Sequence, residues 1–195
     1  MVDFDKLEIS AGEIVEALRL QKHDFLNYLQ LISGYLQLGN MEKALEYVKT
    51  ASRDIELSGT IMRLAHHALS IKLLLRVHNA YKSGANIILS TSTDLELLSP
   101  DRKLMQFFDQ VFSSIEQVCA HRREPGNVQV EFSETGENYC MTITSAHLGE
   151  DVFNHFAAKV EQAAAELNNQ TFFQDLSEQK VQGFQVCFSK STRSG

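Results

Sequence analysis

Residues 11–38 read AGEIVEALRLQKHDFLNYLQLISGYLQL, a stretch without proline in which large apolar side chains recur at helical spacing. The recurring residues are Ile14, Leu18, Phe25, Leu29, Ile32 and Leu36. At about 100° per residue they fall within a stripe about 60° wide. So narrow a stripe is typical of a coiled-coil seam rather than of the broad apolar face of an ordinary surface helix. The stretch therefore predicts a long helix that pairs with other helices along one face.

A tight turn into a second helix is predicted directly after this stretch. Gly39 is a good left-handed helix stop, and Asn40 is a good N-cap for the next helix. Because so short a break forces long helices to lie antiparallel, residues 1–66 are predicted to form a helical hairpin. The apolar stripe is too large for one hairpin to cover, which predicts a homodimer. The apolar residues of the second helix, which runs to about residue 64, are Ala44, Leu45, Val48, Ala51, Ile55 and Ile61 or Met62.

Residues 67–195 predict an α/β layer of four or five strands and three helices. The helices are predicted over residues 68–82, 100–121 and 152–168, with Ser99 as the N-cap and Pro100 as the first residue of the second one. Strands are predicted over residues 86–91, 128–132, 139–144, 172–173 and 184–188. The chain as a whole is therefore predicted to be an α+β protein of two domains, 1–66 and 67–195.

Composition and charge exclude several classes of protein. The net charge is −7 and the sequence has no long basic run, so neither nucleic acid nor an anionic membrane surface is expected as a partner. No apolar stretch approaches the roughly 20 residues of a membrane span, and the N-terminus does not read as a secretory signal. Three scattered cysteines, Cys119, Cys140 and Cys187, do not suit a disulfide framework or a zinc site. We therefore expect a cytoplasmic protein whose cysteines are reduced and buried.

One histidine on the first predicted helix could carry chemistry. His23 lies about 140° around the helix from Leu18, on the side away from the apolar stripe. Arg19 and Asn27 are one turn away on either side, and Asp24 is the next residue. A neutral imidazole can attack phosphorus, an acid can orient its ring, and a guanidinium or amide can meet phosphoryl oxygens. The alternative is a solvated surface histidine, which is the more common role of a lone exposed one.

A longer motif distinguishes between these roles. Residues 21–39 read QKHDFLNYLQLISGYLQLG, which contains His-Asp-x-x-Asn followed by Leu-Gln-x-Ile-x-Gly-x-Leu-Gln-Leu-Gly. This segment resembles the histidine-bearing hairpin of the sporulation initiation phosphotransferase B family. It also resembles the same segment in related sensor kinases that respond to citrate and other dicarboxylates. Glycine within a helix costs about 1 kcal/mol relative to alanine, so a glycine at position 34 is unusual in a predicted helix. The motif has a glycine at this position, and Gly34 therefore fits the resemblance.

The resemblance implies a role for the hairpin. His23 would accept a phosphoryl group from the aspartate of one response regulator and pass it to another, in sporulation-type two-component signalling. Two hairpins would pair as a dimeric four-helix bundle. Asp24, Asn27 and Arg19 would assist His23. An apolar rim that includes Leu20, Leu26 and Leu31, together with Gln30, would receive the regulator.

The second half resembles the ATP-binding domain of such kinases only in outline. The helix and strand that open it match, but serines 113 and 114 stand where the kinases carry a magnesium-binding asparagine. The glycine-rich Asp-x-Gly-x-Gly adenine loop is also absent from residues 144–149. We therefore expect a degenerate kinase domain that binds neither ATP nor another cofactor. The regulator would supply the magnesium.

Two alternatives remain open. The chain could be a dimeric scaffold or inhibitor that docks a kinase or regulator and transfers nothing, whereas an active ATP-dependent kinase is disfavoured by the missing motifs. No metal site is expected, because no carboxylate or cysteine stands at ligand spacing from the remaining histidines. Structural or ordinary surface roles are assigned to His66, His67, His78, His121, His147 and His155.

Overall fold

The chain folds into a long helical hairpin followed by helices that pack on a mixed β-sheet. The computed structural model describes residues 9–82, 84–99, 101–119, 126–146, 148–167, 172–176 and 182–190. The helices in these ranges are α1 (Ala11–Gln37), α2 (Met41–Ile61), α3 (His67–Lys82), α4 (Arg102–Cys119) and α5 (Glu150–Ala165). The strands are β1 (Ala85–Thr91), β2 (Gly126–Thr135), β3 (Asn138–Ser145), β4 (Phe172–Asp175) and β5 (Gln182–Ser189). The predicted α+β class is confirmed.

The turn between α1 and α2 has the predicted geometry. Gly39 has a φ of +70°, a left-handed conformation that glycine adopts without steric cost. The backbone N–H of Asn40 donates to the Tyr35 carbonyl at 2.9 Å. The Asn40 side chain then caps α2 by accepting a hydrogen bond from the Lys43 N–H at 3.1 Å. The two helices consequently form the antiparallel hairpin that the sequence predicts.

Tyrosine side chains of α1 hold the two helices of the hairpin together. The hydroxyl of Tyr28 donates to the Asp54 carboxylate, and Tyr35 stacks on Tyr47 with ring centroids 5.4 Å apart. Burial, followed by the hydrogen bond to Asp54, raises the pKa of Tyr28, so its hydroxyl stays protonated as a donor. These contacts fix the face of α1 that α2 covers.

The sheet has the strand order β1-β2-β3-β5-β4. Strands β1 and β2 are parallel and are joined through α4, whereas all the other neighbours are antiparallel. The β2–β3 hairpin turns at Gly136, whose φ is +57°, as predicted. Alternate residues of the strands face the helices, where the ring of Phe108 on α4 meets Phe132 edge-on at 5.8 Å. The buried strand residues include Val128, Val130, Phe132, Tyr139, Met141, Ile143, Phe184, Val186 and Phe188.

Helix α4 begins later than the sequence predicts. The Asp101 side chain, rather than Ser99, caps it by accepting from the Leu104 N–H at 2.8 Å. An aspartate two positions further along competes well for this role, because its carboxylate is an equally good N-cap acceptor. The predicted first helical residue, Pro100, lies outside the described residues, as do the predicted helix end at His121 and the surface residue His147.

The expectation of reduced cysteines is wrong for two of the three. Cys140 on β3 and Cys187 on β5 are directly paired in the antiparallel register. Their Cα atoms are 4.0 Å apart, and their sulfurs form a disulfide across 47 residues of sequence. The pairing depends on strand register, which spacing along the chain does not reveal. All three cysteines are buried as expected, and Cys119 takes no part in the disulfide.

Helix α3 packs against both β1 and α1. The ammonium group of Lys72 on α3 lies 2.9 Å from the Glu13 carboxylate on α1. Glu13 also completes a capping box at the start of α1, because its carboxylate accepts from the Ser10 N–H at 2.8 Å while the Ser10 hydroxyl accepts from the Glu13 N–H at 3.1 Å. The hairpin and the sheet layer therefore share an interface, and the division of the chain at residue 66 stays a prediction.

Among the described residues, no helix combines the length and the apolar character that crossing a membrane requires.

Replacing Glu13 with Gln should lower stability at neutral pH by a few tenths of a kcal/mol to about 1 kcal/mol. Gln keeps the shape and hydrogen-bonding capacity of the capping box but removes the charge. The Ser10 N–H, the Lys72 ammonium and the Ser10 hydroxyl lower the pKa of Glu13 from 4.5 to about 2. Because this folded-state pKa is depressed, the stabilisation is complete above about pH 4.5 and is lost as the pH falls towards 2.

Urea unfolding of the wild type and Glu13→Gln at neutral and acidic pH measures this effect. The difference between the two proteins should shrink near pH 2.5. Glu16→Gln changes an exposed carboxylate of the same helix outside the capping box, so it should have little effect at either pH. If the difference in free energy of unfolding between the wild type and Glu13→Gln did not change with pH, the stabilisation would not come from the ionised Glu13 carboxylate.

Candidate functional site

His23 lies on the middle of α1, where its side chain is 69% exposed. Arg19 and Asn27, one helical turn away on either side, are also exposed. The residues that the sequence groups into one strip therefore do lie together on an accessible face. Arg19 forms no ion pair with any residue that the structure describes, so its guanidinium is available to an incoming anion.

The contacts of the His23 ring converge on one nitrogen. The Asp24 carboxylate oxygen Oδ1 lies 3.4 Å from His23 Nδ1, and Asn27 Nδ2 lies 3.2 Å from the same atom. A carboxylate favours a proton on Nδ1, whereas an amide N–H favours a bare nitrogen. The charged acceptor is the stronger partner, so we assign the proton to Nδ1. The lone pair is then on Nε2, which can act as a nucleophile.

Asp24 has a second partner, which the sequence does not reveal. Its other carboxylate oxygen, Oδ2, lies 3.3 Å from Nδ1 of His78 on α3. From the sequence, His78 is assigned a structural role, because nothing near it along the chain points to α1. The sequence feature that could have predicted this contact is on α1, where Glu13, Leu20 and Asp24 share one side of the helix. That side is the one that meets α3.

The predicted partner-binding residues do not all lie where the sequence places them. Leu26 and Leu31 are exposed large apolar side chains, and Gln30 is exposed as well. Leu20 is a correction, because it is only half-exposed. It lies on the α3-facing side of α1, between the residues that contact Lys72 and His78. An exposed rim around His23 therefore consists of Leu26 and Leu31 rather than all three leucines.

The apolar stripe of α1 is uncovered in the single chain. No residue of this helix is buried, and Leu18 and Phe25 are 57% and 50% exposed. On α2 the predicted apolar residues divide into two sets. Ala44, Ala51 and Ile61 are buried, whereas the remaining residues, Leu45, Val48, Ile55 and Met62, are exposed. The exposed apolar residues of the hairpin at stripe positions are Ile14, Leu18, Phe25, Leu29, Leu36, Met41, Leu45, Val48, Ile55 and Met62.

The other histidines that the structure describes lie outside any group of three metal-binding side chains. No group of three histidine, cysteine, aspartate or glutamate side chains comes together among the described residues. His66 is half-buried, with its Nε2 atom inaccessible and lacking a hydrogen-bond partner in the described part of the chain, whereas His67 is exposed. His155 is exposed on α5. His66 directly precedes α3 and His67 is its first residue, and the two side chains differ in exposure.

In the region that would carry the adenine loop of a kinase, hydrogen bonds connect Ser145 with Asn127 and with Leu148. The Ser145 hydroxyl at the end of β3 donates to the Asn127 carbonyl at 2.9 Å. The Leu148 N–H donates back to the same hydroxyl at 3.3 Å, and Leu148 is buried. On α4, serines 113 and 114 are half-buried. A serine side chain is shorter than that of asparagine and has no amide carbonyl oxygen with which to hold magnesium.

The hairpin matches a known family. Residues 5–64 match the family described as Sensor_kinase_SpoOB-type, alpha-helical domain. That range contains His23, all of α1 and all of α2.

Two curated relatives come from Halalkalibacterium halodurans. Sensor protein CitS is 25% identical over 137 residues, which are 66% of this chain. The second, named Probable C4-dicarboxylate sensor kinase, is 33% identical over 82 residues, which are 41% of this chain. The matched segments are 25% of the length of CitS and 15% of the length of the second relative. Both relatives are thus considerably longer than this chain.

Solved structures show a weaker likeness. The Acinetobacter baumannii histidine kinase AdeS is 15% identical, with a TM-score of 0.45, over 87% of this chain and 98% of that one. A bacterial phosphotransferase is 11% identical, with a TM-score of 0.43, over 93% of this chain and 99% of that one. Likenesses of this size carry no argument about function. The family match and the sensor-kinase relatives agree with the resemblance found in the sequence: the hairpin of this chain is similar to the SpoOB-type α-helical domain of sensor kinases.

Proposed function

We propose that this chain is a phosphotransferase of two-component signalling that passes a phosphoryl group between response-regulator aspartates through His23. The observation that carries the proposal is the exposed imidazole whose Nδ1 faces Asp24 while Nε2 remains available. It lies within the segment that matches the SpoOB-type α-helical domain, and the two sequence relatives are named as a sensor protein and a sensor kinase. From the sequence resemblance, we extend the proposal to sporulation-type signalling.

The proposed reaction is an in-line displacement at phosphorus. The lone pair of His23 Nε2 forms the N–P bond while the bond from phosphorus to the regulator's carboxylate oxygen breaks, and the carboxylate leaves with its electron pair. The proton on Nδ1 stays in place. The phosphorylated ring then carries positive charge beside the Asp24 carboxylate, which stabilises it. The reverse step delivers the phosphoryl group to the aspartate of a second regulator.

The side chains around His23 suit this reaction. The Arg19 guanidinium lies one turn away, where it can donate to the equatorial phosphoryl oxygens. We propose that the Asn27 amide, which lies 3.2 Å from His23 Nδ1 in the unphosphorylated chain, rotates to donate to them as well. Leu26 and Leu31 offer apolar contact area to a regulator. When bound, magnesium would neutralise charge on the phosphoryl oxygens, and we propose that the acidic pocket of the regulator supplies it.

We propose that two hairpins pair through the apolar stripe as a four-helix bundle. In the single chain the stripe leaves Leu29 and Leu36 about half exposed, and Leu45 and Ile55 on α2 are exposed to a similar extent. Apolar residues at these positions follow the spacing by which antiparallel helices pack in bundles. The dimer would have two His23 sites, both on the outside.

We also propose that the C-terminal half does not use ATP. Serines 113 and 114 of α4 stand where the kinases carry a magnesium-binding asparagine, which supports transfer from another protein rather than from ATP.

The proposed setting is the cytoplasm, where response regulators act. Disulfides are rare there, so the Cys140–Cys187 bond is unusual for the setting. Both cysteines are almost inaccessible to solvent, which protects their sulfurs from reductants.

His23→Gln should abolish transfer while leaving the dimer intact, because Gln has no nucleophilic nitrogen. Arg19→Ala and Asn27→Ala should slow transfer about ten- to a hundred-fold, the scale of losing one or two polar contacts in the transition state. The measurement is the rate at which label moves to each variant from receiver domains of response regulators loaded with labelled acetyl phosphate.

Undiminished transfer by His23→Gln would overturn the assignment, as would label recovered on another histidine. If the wild type binds a receiver domain but accepts no label, the scaffold alternative is favoured. Lys49→Ala, at an exposed residue of α2, serves as a control that should transfer at the wild-type rate.

Leu29→Glu should convert the dimer to a monomer, whereas Leu26→Glu should not. The two leucines are 46% and 44% exposed, so they are matched in accessibility. Leu29 belongs to the apolar stripe, whereas Leu26 lies about 60° further round the helix, outside it. A charge at Leu29 would be buried in the proposed seam, which is costly without a partner. Sedimentation equilibrium at about 10 μM gives the oligomeric state. A monomeric wild type, or dissociation by Leu26→Glu to the same degree, would contradict the proposed seam.

ATP with magnesium should produce no binding heat in isothermal titration calorimetry up to about millimolar nucleotide, because serines stand at the position of the magnesium-binding asparagine. Incubation with labelled ATP should leave His23 unlabelled. A dissociation constant in the low micromolar range would show that the C-terminal half binds nucleotide. Labelling that is lost in His23→Gln would identify the chain as a kinase instead.

A further inference from the structure

We propose that His78 of α3 is a positioning residue for His23 and acts through Asp24. The inference rests on the proposed function of His23 as the phosphoryl carrier. The two oxygens of the Asp24 carboxylate contact different histidines, with Oδ1 3.4 Å from His23 Nδ1 and Oδ2 3.3 Å from His78 Nδ1. The carboxylate therefore bridges the exposed ring of α1 and a ring held by α3.

The three side chains form a gradient from solvent to interior. The exposed fraction is 69% for His23, 50% for Asp24 and 13% for His78. The inner member is thus the one whose ring is held by its surroundings. An ordered His78 restricts Asp24, and Asp24 in turn restricts His23. Each hydrogen bond removes rotamers that an exposed side chain would otherwise populate.

The inner ring has one favoured protonation pattern. Nε2 of His78 is inaccessible to solvent and has no hydrogen-bond partner among the described residues. A proton there would leave a buried donor without an acceptor and would set a bare Nδ1 against the Asp24 carboxylate. The proton of a neutral His78 therefore belongs on Nδ1, where it can donate to Asp24 Oδ2. This donor occupies one oxygen of the carboxylate and turns the other oxygen towards His23.

Orientation of the carboxylate matters for the reacting atom. Asp24 favours the proton on His23 Nδ1 only while Oδ1 faces that nitrogen, and only this tautomer leaves the lone pair on Nε2. An aspartate that rotates freely on a helix surface would hold the ring for a fraction of the time. His78 thereby increases the population of His23 rings that are ready to attack phosphorus.

The arrangement also links the two halves of the chain. His78 reaches Asp24 because α3 lies along α1, and the Lys72–Glu13 ion pair holds the same two helices together at the other end of the contact. A C-terminal half without nucleotide motifs would still affect phosphotransfer by this route. Its first helix would supply the residue that orients the acid beside the phosphorylated histidine.

The test begins with the tautomer of His23, observed without any phosphoryl transfer. Long-range ¹H–¹⁵N spectra of the full chain with labelled histidine report which ring nitrogen carries the proton, and the His23→Gln spectrum identifies the His23 signals. The wild type should show mainly Nδ1–H. His78→Leu should shift His23 towards Nε2–H, whereas His78→Asn should retain the wild-type pattern, because its side-chain amide places a donor near the former Nδ1.

A matched control separates this effect from the packing of α3. Lys72→Met breaks the other α1–α3 contact without touching Asp24, and it should leave the His23 tautomer unchanged. In transfer assays with a loaded receiver domain, His78→Leu should reduce the maximal rate about three- to ten-fold with the half-saturating receiver concentration unchanged. His78→Asn should restore most of the rate.

The outcomes distinguish this inference from the proposed function. A shift of the tautomer in His78→Leu without transfer by the wild type would support the positioning role and reject the transfer. Transfer by the wild type with an unchanged tautomer and rate in His78→Leu would overturn the positioning role. An equal shift in Lys72→Met would also overturn it. If His78→Leu does not fold, His78→Asn provides the test. A shift of the His23 tautomer in His78→Asn would contradict the inference that a hydrogen-bond donor at position 78 orients Asp24.

Discussion

The short turn between α1 and α2 is the constraint on which the arrangement of the hairpin depends. Gly39 reverses the chain in a left-handed conformation, and Asn40 starts the next helix at once. Because the connection is so short, α2 can only lie antiparallel along α1. That register brings Tyr28 to Asp54 and Tyr35 to Tyr47, so the α2-facing side of α1 is fixed. The sides that carry the apolar stripe and His23 are fixed with it.

Helix α1 is used on every side. One side packs on α2, the next is met by α3, the apolar stripe is open, and His23 occupies the remainder. A helix with no buried residue in its own chain depends on neighbours rather than on a core. The contacts with Lys72 and His78 show how α3 contributes. They also explain why Asp24, adjacent to His23 in sequence, belongs structurally to the interface between the two helices.

Features with local causes could be predicted from the sequence. The apolar spacing predicts α1, Gly39 and Asn40 predict the turn, and alternation around Gly136 predicts the β2–β3 hairpin, because each depends on residues close along the chain. The exposed strip of the site, from Arg19 to Asn27, is predictable for the same reason. The relative positions of its side chains follow from the geometry of a single helix.

Features that depend on tertiary register could not be predicted in this way. The Cys140–Cys187 disulfide requires β3 and β5 to be neighbours with those two residues opposite each other. The contact between Asp24 and His78 requires α3 to lie on a particular side of α1, and the same packing half-covers Leu20. The choice of Asp101 over Ser99 as a helix cap is local, but both residue types are good caps and the sequence does not rank them.

The parallel pairing of β1 with β2 has a consequence for how the chain acquires its structure. Ala85 pairs with Gly126 across the whole of α4, and β3 pairs with β5 across a similarly long stretch. The hairpin, by contrast, closes through neighbouring residues at a tight turn. Contacts between distant residues form slowly, whereas local ones form quickly, and synthesis releases the N-terminal part first. The hairpin should therefore emerge and fold while the sheet is still incomplete. Its apolar stripe would be exposed on nascent chains, where two neighbouring chains on one messenger could already meet.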